Sequence, residues 1–337
     1  MHARGVDVRA MVLNPGELAA RLTTVGIPTV VMNERSHSSL RIFVELRRVA
    51  AAFRPHVIHS HRKKEHILAC AVARLLGGRH PSLVKTIHGA PEPRPRQPGV
   101  RVRASLALDR WCDRRFAARV AVSAELAEKL RSASDAPLAV VHNGIRAPSG
   151  AVRPRVAVTP RVVGFAGRFV AIKRLDLLIE VAACAHRQSP GALRFEIVGA
   201  GPLLEQLLAQ AHAAQLGDSV TFVPFQPDIW NTLASWDAAI LTSDHEGLPM
   251  ICLEALAAGV PVFARDVGGL RELVLGPEQG ALSDSTDPAE IAAQLLCFVA
   301  QQSEPARRRN RLPAGFTVER MCEGYLETYR QTMAARQ

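Results

Sequence analysis

The 337-residue sequence is poor in several features that define other classes of protein. Aromatic residues make up 5% of it, as 11 Phe, 3 Trp and 2 Tyr, and no segment interleaves them with basic residues as nucleic-acid binders do. No apolar run approaches the roughly 20 residues of a membrane-spanning helix. The start, Met1 to Gly5, lacks the apolar core of a signal peptide. These absences argue against nucleic acid as a partner and predict a cytoplasmic protein.

Clustered metal ligands are absent as well. The six cysteines are scattered at positions 70, 112, 184, 252, 297 and 322, and none forms the close pair of a metal or redox motif. The chain has no D-x-D sequence and no histidine cluster at metal-ligand spacing. We therefore expect reduced, mostly buried thiols, no metal ion and no cofactor.

Acidic residues are scarce in the first half of the chain. Residues 1–150 carry 25 Lys and Arg against 11 Asp and Glu, a net charge of +14, whereas residues 151–337 carry 17 against 20, a net charge of −3. Such an excess suits an anionic membrane surface or an acceptor that bears a diphosphate. A solvated Arg-rich surface explains it equally well.

Short apolar segments alternate with helical ones along the chain, a pattern typical of doubly wound parallel sheets. A chain of this length exceeds the size of one core, which predicts two domains. The predicted strands are Val6 to Leu13, Thr29 to Met32, His56 to His59, Leu83 to Ile87, Val120 to Val122, Ala139 to Val141, Val162 to Phe165, Phe195 to Val198, Val220 to Val223, Ala238 to Leu241 and Val260 to Ala264. The predicted helices include Glu17 to Val25, Leu40 to Phe53 and Glu65 to Leu76.

The segment from Arg146 to Pro160 is rich in Pro, Gly and Ser and predicts a linker. We accordingly place an N-terminal domain at residues 1–148 and a C-terminal domain at 149–314. A closing helix is predicted over residues 315–337, with Phe316, Met321, Tyr325 and Tyr329 on one face. The loop from Ala90 to Gly99 contains four prolines and is predicted to be mobile.

The most informative segment runs from Ser243 to Pro249 and continues to Glu254. It predicts the end of a strand, a tight loop and a helix with Pro249 in its first position. Glu246 would then lie just before the helix and Glu254 two turns into it. Because the first turn of a helix offers unpaired N–H groups to an anion, this arrangement suits a phosphorylated sugar.

This segment resembles the donor-site signature of the retaining glycosyltransferases of the GT-B fold, the group 1 family. Further matches follow in family order: Gly167-Arg168 with Lys173, Val198 to Pro202, Gly268-Gly269 with Glu272, and Thr86 to Gly89. The resemblance covers about Val6 to Tyr329. It implies an α/β fold of two Rossmann-like domains facing across a cleft, with the last helix crossing back to the first domain.

The resemblance also implies a role for individual residues. Arg168 and Lys173 would stabilise the departing diphosphate, Glu254 would accept hydrogen bonds from the ribose, and Glu246 would contact hydroxyls of the transferred sugar. His88 would lie against that sugar. The turn of Gly199 and Gly201 would lie beside the nucleotide, and Gly247, Leu248 and Pro249 would form the adjacent backbone turn.

Structural explanations exist for each of these residues. Arg168 and Lys173 are surface cations on their own, Glu254 suits the N-terminal half of a helix, and a lone histidine such as His88 is more often structural. A dinucleotide fingerprint at Gly199 and Gly201 is weak because Leu204 replaces the third glycine.

The implied reaction is metal-independent transfer of a hexosyl group from a nucleotide-sugar, with a UDP-sugar favoured. The acceptor would be a cell-envelope glycan or a polyprenyl-diphosphate-linked sugar, reached by peripheral attachment to the inner face of the membrane. A nucleotide-sugar epimerase of the same fold and an inactive truncated relic are alternatives. The relic is an alternative because the first strand and the Gly-rich loop of the family have no counterpart in this sequence. We expect the coding sequence to start upstream of Met1.

Overall fold

The computed structural model describes residues 1–76, 80–89, 107–108, 110–131, 136–150, 159–302 and 309–335. They divide into two compact units. The first unit comprises Met1–Ala121, Ala127–Val141 and Cys322–Gln337, and the second comprises Val122–Leu126 and His142–Met321.

The first unit alternates parallel strands with helices. Strands β1 and β2 form a two-stranded sheet, and β3, β4, β5 and β6 follow one another in a second sheet. Its elements are β1 (Ala10–Val12), α1 (Glu17–Thr24), β2 (Thr29–Val31), α2 (Ser39–Phe53), β3 (Val57–Ser60), α3 (Lys63–Leu75), β4 (Ser82–Ile87), β5 (Ala118–Ala121), part of α4 (Ala124–Arg131) and β6 (Leu138–Val140).

The second unit contains one parallel sheet of six strands in the order β12-β11-β10-β7-β8-β9. Its strands are β7 (Arg161–Arg168), β8 (Leu193–Ala200), β9 (Val220–Val223), β10 (Ala238–Leu241), β11 (Val262–Arg265) and β12 (Gly280–Ser283). Its helices are α5 (Leu175–Gln188), α6 (Leu204–Ala213), α7 (Trp230–Leu233), α8 (Met250–Ala257), α9 (Leu270–Leu273) and α10 (Pro288–Gln301), and α11 (Val318–Ala334) is shared between the units.

The strand order of this sheet reverses beside β7. The chain passes from β7 to β8 on one side, and later places β10 on the other side of β7. Ligands of open α/β sheets bind outside the carboxyl ends of the strands at such a reversal. The ends of β7 and β10, at Arg168 and Leu241, therefore mark the expected binding edge.

The predicted fold class is confirmed, since both units are α/β with parallel sheets. Strand β12 was not predicted, because Gly, Ala, Leu and Ser give no alternating apolar pattern. Strand β1 is shorter than the predicted Val6 to Leu13. The loop from Ala90 to Gly99 and most of the linker lie outside the described residues, and the domain boundaries stay a prediction.

One part of the prediction around the helix after β10 was wrong. Pro249 precedes the helix in an extended conformation, with φ −71° and ψ 124°, and α8 begins at Met250. Glu254 is therefore the fifth residue of a helix of eight residues and lies one turn in. Among the described residues, no helix is long and apolar enough to cross a membrane.

Gly164 in the middle of β7 provides a test of the packing. A Cβ atom there would overlap the ring of Trp236, which is fully buried and donates from Nε1 to Glu196 Oε1 at 3.0 Å. Because this ring cannot move freely, Gly164→Ala should destabilise the protein by about 2 kcal/mol in urea unfolding. Gly315→Ala is the control, since no atom of the described residues lies within 4 Å of the added methyl group. Equal midpoints for the two variants would contradict the packing described.

Candidate active site

The carboxyl end of β7 carries an exposed cation. Arg168 is level with Ala200 in the neighbouring strand β8. Gly199, with φ 146°, and Gly201 have no room for a side chain, because a Cβ atom would overlap the backbone of Gly167 or Phe169. The two glycines thus let the turn at the end of β8 approach the end of β7. Within the described part of the chain, the Arg168 guanidinium makes no hydrogen bond or ion pair, so it is available to an anionic ligand.

The loop after β10 holds a buried carboxylate against a lysine. Glu246 Oε1 accepts hydrogen bonds from Lys173 Nζ and Ser243 Oγ, both at 2.6 Å. Glu246 is 7% exposed, and Lys173 ends a short 3-10 turn that follows β7. No described residue donates to the second oxygen of Glu246, Oε2. That oxygen is therefore available to a ligand hydroxyl.

Backbone packing and two hydrogen bonds hold the turn after Glu246 in place. Gly268 has φ 64°, and a Cβ atom there would overlap the carbonyl of Glu246. Gly269 donates its N–H to the Gly247 carbonyl at 2.9 Å. Asn143 Nδ2 donates to the Leu248 carbonyl at 3.0 Å. The predicted turn of Gly247, Leu248 and Pro249 is thus fixed at the start of α8.

Glu254 is the carboxylate of α8 that lacks a partner. No described residue hydrogen-bonds to its carboxyl group, and burial raises the pKa of Glu254 to about 7. Burial also raises the pKa of the neighbouring Cys252 thiol. The charges of Glu246 and Glu254 raise this pKa in smaller measure, and the charge of Lys173 lowers it. All three charges therefore lie within electrostatic reach of the same helical turn.

A second charge cluster was not predicted. Asp244 Oδ1 accepts from Arg174 at 3.1 Å and from Arg265 at 2.7 Å. Arg265 is the last residue of β11, so the rule that ligands and functional side chains gather at strand ends would have pointed to it. Arg174 follows Lys173 directly and carried no motif of its own.

Glu272 has a capping role that the motif alone did not reveal. Its Oε1 accepts from the N–H of Ala124 at 2.8 Å and from that of Glu125 at 3.3 Å, at the start of α4. Its Oε2 is 2.6 Å from His142 Nε2. A carboxylate at this position satisfies N–H groups that a helix leaves unpaired.

His88 belongs to the first unit, in a column of three imidazole rings. His61 lies between His59 and His88, with ring centroids 4.4 and 5.4 Å away, and its Nδ1 is 3.1 Å from His88 Nε2. His59 contacts Tyr329 OH at 2.6 Å and Thr86 Oγ1 at 2.8 Å. Burial lowers the pKa of all three histidines, so they are neutral at pH 7. The role of His88 stays a prediction.

No group of three or more His, Cys, Asp or Glu side chains is arranged to hold a metal ion within the residues the structure describes. The candidate residues of the second unit offer cations, a carboxylate oxygen and backbone N–H groups. Such a set binds an anion and several hydroxyl groups.

Two family models match consecutive parts of the chain. The model "Glycosyltransferase Family 4" matches residues 1–147, and the model "Glycosyl transferases group 1" matches residues 152–312.

The chain is also similar to relatives whose functions have been curated. The D-inositol 3-phosphate glycosyltransferase of Salinispora arenicola is 35% identical over 188 residues, which is 52% of this chain and 42% of that protein. The glycogen synthase of Mycobacterium tuberculosis is 26% identical over 309 residues, 87% of this chain and 73% of that protein. The alignment with the Salinispora protein thus spans less than half the length of that protein.

Solved structures share the fold. Sucrose-phosphate synthase of Thermosynechococcus elongatus superimposes with a TM-score of 0.78 at 19% identity, over 99% of this chain and 91% of that one. Anabaena HepE in complex with UDP and glucose superimposes with a TM-score of 0.76 at 20% identity, over 95% and 91%.

The raised pKa of Glu254 makes stability depend on pH. The folded chain holds this proton more tightly than an unfolded one, whose Glu pKa is 4.5, so stability falls as pH rises from about 4.5 to 7. Glu254→Gln removes this dependence. The free energy of unfolding of the variant minus that of the unmodified chain should therefore increase by about 2 kcal/mol from pH 5.5 to pH 8.5, as measured by denaturant unfolding. The exposed Glu180→Gln is the control, and a constant difference across this range would contradict the assignment.

Proposed function

The chain belongs to the group 1, family 4-like glycosyltransferases, and on that basis we propose that it transfers a hexosyl group from a UDP-sugar with retention of configuration and without a metal ion. The acceptor is a cell-envelope glycan or a polyprenyl-diphosphate-linked sugar. One observation carries the proposal. The segments that follow β7 and β10, at the reversal point of one sheet, carry an available arginine, a lysine paired with a carboxylate and a half-buried carboxylate, Glu254, without a partner among the described residues.

Each group has a counterpart on a nucleotide-sugar. Arg168 binds the diphosphate through two N–H donors, and Lys173 adds a mobile point charge. The N–H groups of the first turn of α8 bind the same anion. Glu254 accepts hydrogen bonds from the ribose hydroxyls, and Glu246 Oε2 accepts one from the sugar. Gly199 and Gly201 keep the adjacent turn free of side chains that would block the nucleotide.

The proposed reaction depends on stabilising the leaving group. Negative charge grows on the departing diphosphate, and Arg168, Lys173 and the start of α8 stabilise it in the transition state. The departing phosphate oxygen takes the proton of the acceptor hydroxyl on the face where that hydroxyl attacks, which preserves the anomeric configuration. Glu246 already accepts two hydrogen bonds on one oxygen, which favours hydroxyl binding over nucleophilic attack.

Two observations support the choice of donor and acceptor. Anabaena HepE, which shares the fold, was solved with UDP and with UDP-glucose, and this favours a UDP-sugar. The net charge of +14 in residues 1–150 favours an anionic acceptor such as a polyprenyl diphosphate.

The donor is tested by thermal shift with UDP-, GDP- and ADP-sugars, because a true donor raises the melting temperature by mass action. Transfer of the labelled sugar from that donor to glycan and lipid fractions then measures turnover. Glu246→Gln should lower turnover about a hundredfold, since it keeps the Ser243 hydrogen bond but removes the charge opposite Lys173.

The matched control is Glu290→Gln, because Glu290 accepts from Ser285 at 2.7 Å as Glu246 does from Ser243. Unchanged turnover in Glu246→Gln would contradict its role. Sugar epimerised or released from the donor without any acceptor would identify the epimerase instead. An NMR spectrum that shows the product with inverted anomeric configuration would contradict retention.

The proposed membrane contact is the outward face of α2. Leu40 and Val44 are 71% and 57% exposed, and the exposed Arg47 follows them on the same face, with Arg41 beside it. Apolar side chains that enter the headgroup region together with arginines that attract anionic lipid give interfacial binding.

We therefore expect the protein to sediment with vesicles of phosphatidylcholine and phosphatidylglycerol, and less with phosphatidylcholine alone. Replacing Leu40 and Val44 by Ser should lower the bound fraction several-fold, because the apolar contribution scales with the buried area. Phe225→Ser with Leu275→Ser is the control, since both side chains are exposed in the second unit. Equal binding by both double variants would contradict the assignment to α2.

A further inference from the structure

The loop that carries Glu246 is joined to the turn that carries Lys173 by backbone and hydroxyl contacts. The N–H of Asp244 donates to the Ile172 carbonyl at 3.0 Å. Thr242 Oγ1 lies within donating distance of the carbonyls of Lys173, at 3.1 Å, and Arg174, at 2.9 Å. Hydrogen bonds of the backbone and of one hydroxyl group thus join the two segments independently of their charged side chains.

Two arginines close the same junction from opposite sides. Arg174 reaches Asp244 from the turn, and also pairs with Asp176 at 3.0 Å. Arg265 reaches Asp244 from β11 and donates to the Ser243 carbonyl at 3.3 Å. We refer to Arg174, Asp244 and Arg265 as the Asp244 bracket.

Both arginines occupy unfavourable positions. Arg174 has φ 48° and ψ 47°, a left-handed conformation that favours glycine. The Nε of Arg265 is buried without a hydrogen-bond partner in the described residues, which is itself destabilising. Neither backbone geometry nor solvation therefore explains why arginine occupies these two positions. The shared contact with Asp244 does explain it.

We propose that the Asp244 bracket positions the Glu246 loop against the Lys173 turn, and thereby sets the geometry of the proposed diphosphate and sugar contacts. The bracket residues are positioning residues, because they act through Glu246 and Lys173. This inference rests on the proposed function. It adds that the Lys173 to Glu246 separation of 2.6 Å depends on Asp244, within the signature segment, and on two arginines outside it.

The first test is Arg174→Gly. Glycine accepts the left-handed conformation without strain, so the melting temperature should stay the same or rise while both ion pairs of Arg174 are lost. Turnover with the UDP-sugar found by thermal shift should fall about tenfold, since small displacements of binding groups are costly in the transition state. The Kd for UDP should change less than kcat, because the ribose contact of Glu254 is untouched.

The matched control is Arg54→Gly. Arg54 also has positive φ, 53°, and is exposed at the end of α2 in the first unit. This variant removes an arginine and the same kind of backbone strain, and should leave turnover unchanged. Unchanged turnover in Arg174→Gly, or an equal loss in Arg54→Gly, would overturn the inference.

A double-mutant cycle then separates positioning from general loosening. Asp244→Asn alone should lower kcat about tenfold, whereas in the Glu246→Gln background it should have little further effect, because residues that act as a unit are not additive. Additive losses would overturn the inference. If the unmodified chain shows no turnover with any donor, the proposed function fails and this inference with it. Normal turnover with an intact Arg174→Gly variant would overturn the inference alone.

Discussion

The ion pair between Lys173 and Glu246 is the interaction on which the proposed donor site depends. It joins the turn after β7 to the loop after β10, the two strands beside which the sheet order reverses. Because Glu246 is buried, removal of either partner leaves a charge without compensation. The pair holds the lysine beside the carboxylate and leaves the second carboxylate oxygen without a donor among the described residues.

The surroundings of this pair contain several groups that cost stability. Glu254 is half-buried with no partner among the described residues, and desolvation raises its pKa to about 7. Arg174 adopts a left-handed conformation, and Arg265 leaves one nitrogen unsatisfied. Strained or unsatisfied groups of this kind gather at functional sites. Their occurrence on the loops around one sheet edge is consistent with a site that a charged, hydroxyl-rich ligand completes.

Much of the fold was predictable because its signals are local. Strands β9 and β10 have the predicted bounds, since continuous apolar runs between polar turns specify buried parallel strands. Strand β12 was missed because its small residues give no such run. The start of α8 was predicted one residue early, since Pro249 suits both the cap and the first helical turn. Arg168, Lys173, Glu246 and Glu254 were singled out by the family resemblance, and their roles stay a prediction.

The Asp244 bracket could not be found in this way. Arg174 and Arg265 are separated by 90 residues and belong to no motif, and only the pairing of β10 with both β7 and β11 brings their loops together. The same holds for Glu272 and the start of α4, which are far apart in sequence.

By itself, the sequence determined that this chain forms two parallel α/β units and that its second half carries a family signature, because periodicity, strand-end residues and turn chemistry are local properties. Only the tertiary structure decided which charges are paired, which carboxylate is left without a partner and which arginine remains available. Those properties depend on contacts between segments that the sheet order brings together. They also depend on burial, which determines how strongly the charges interact.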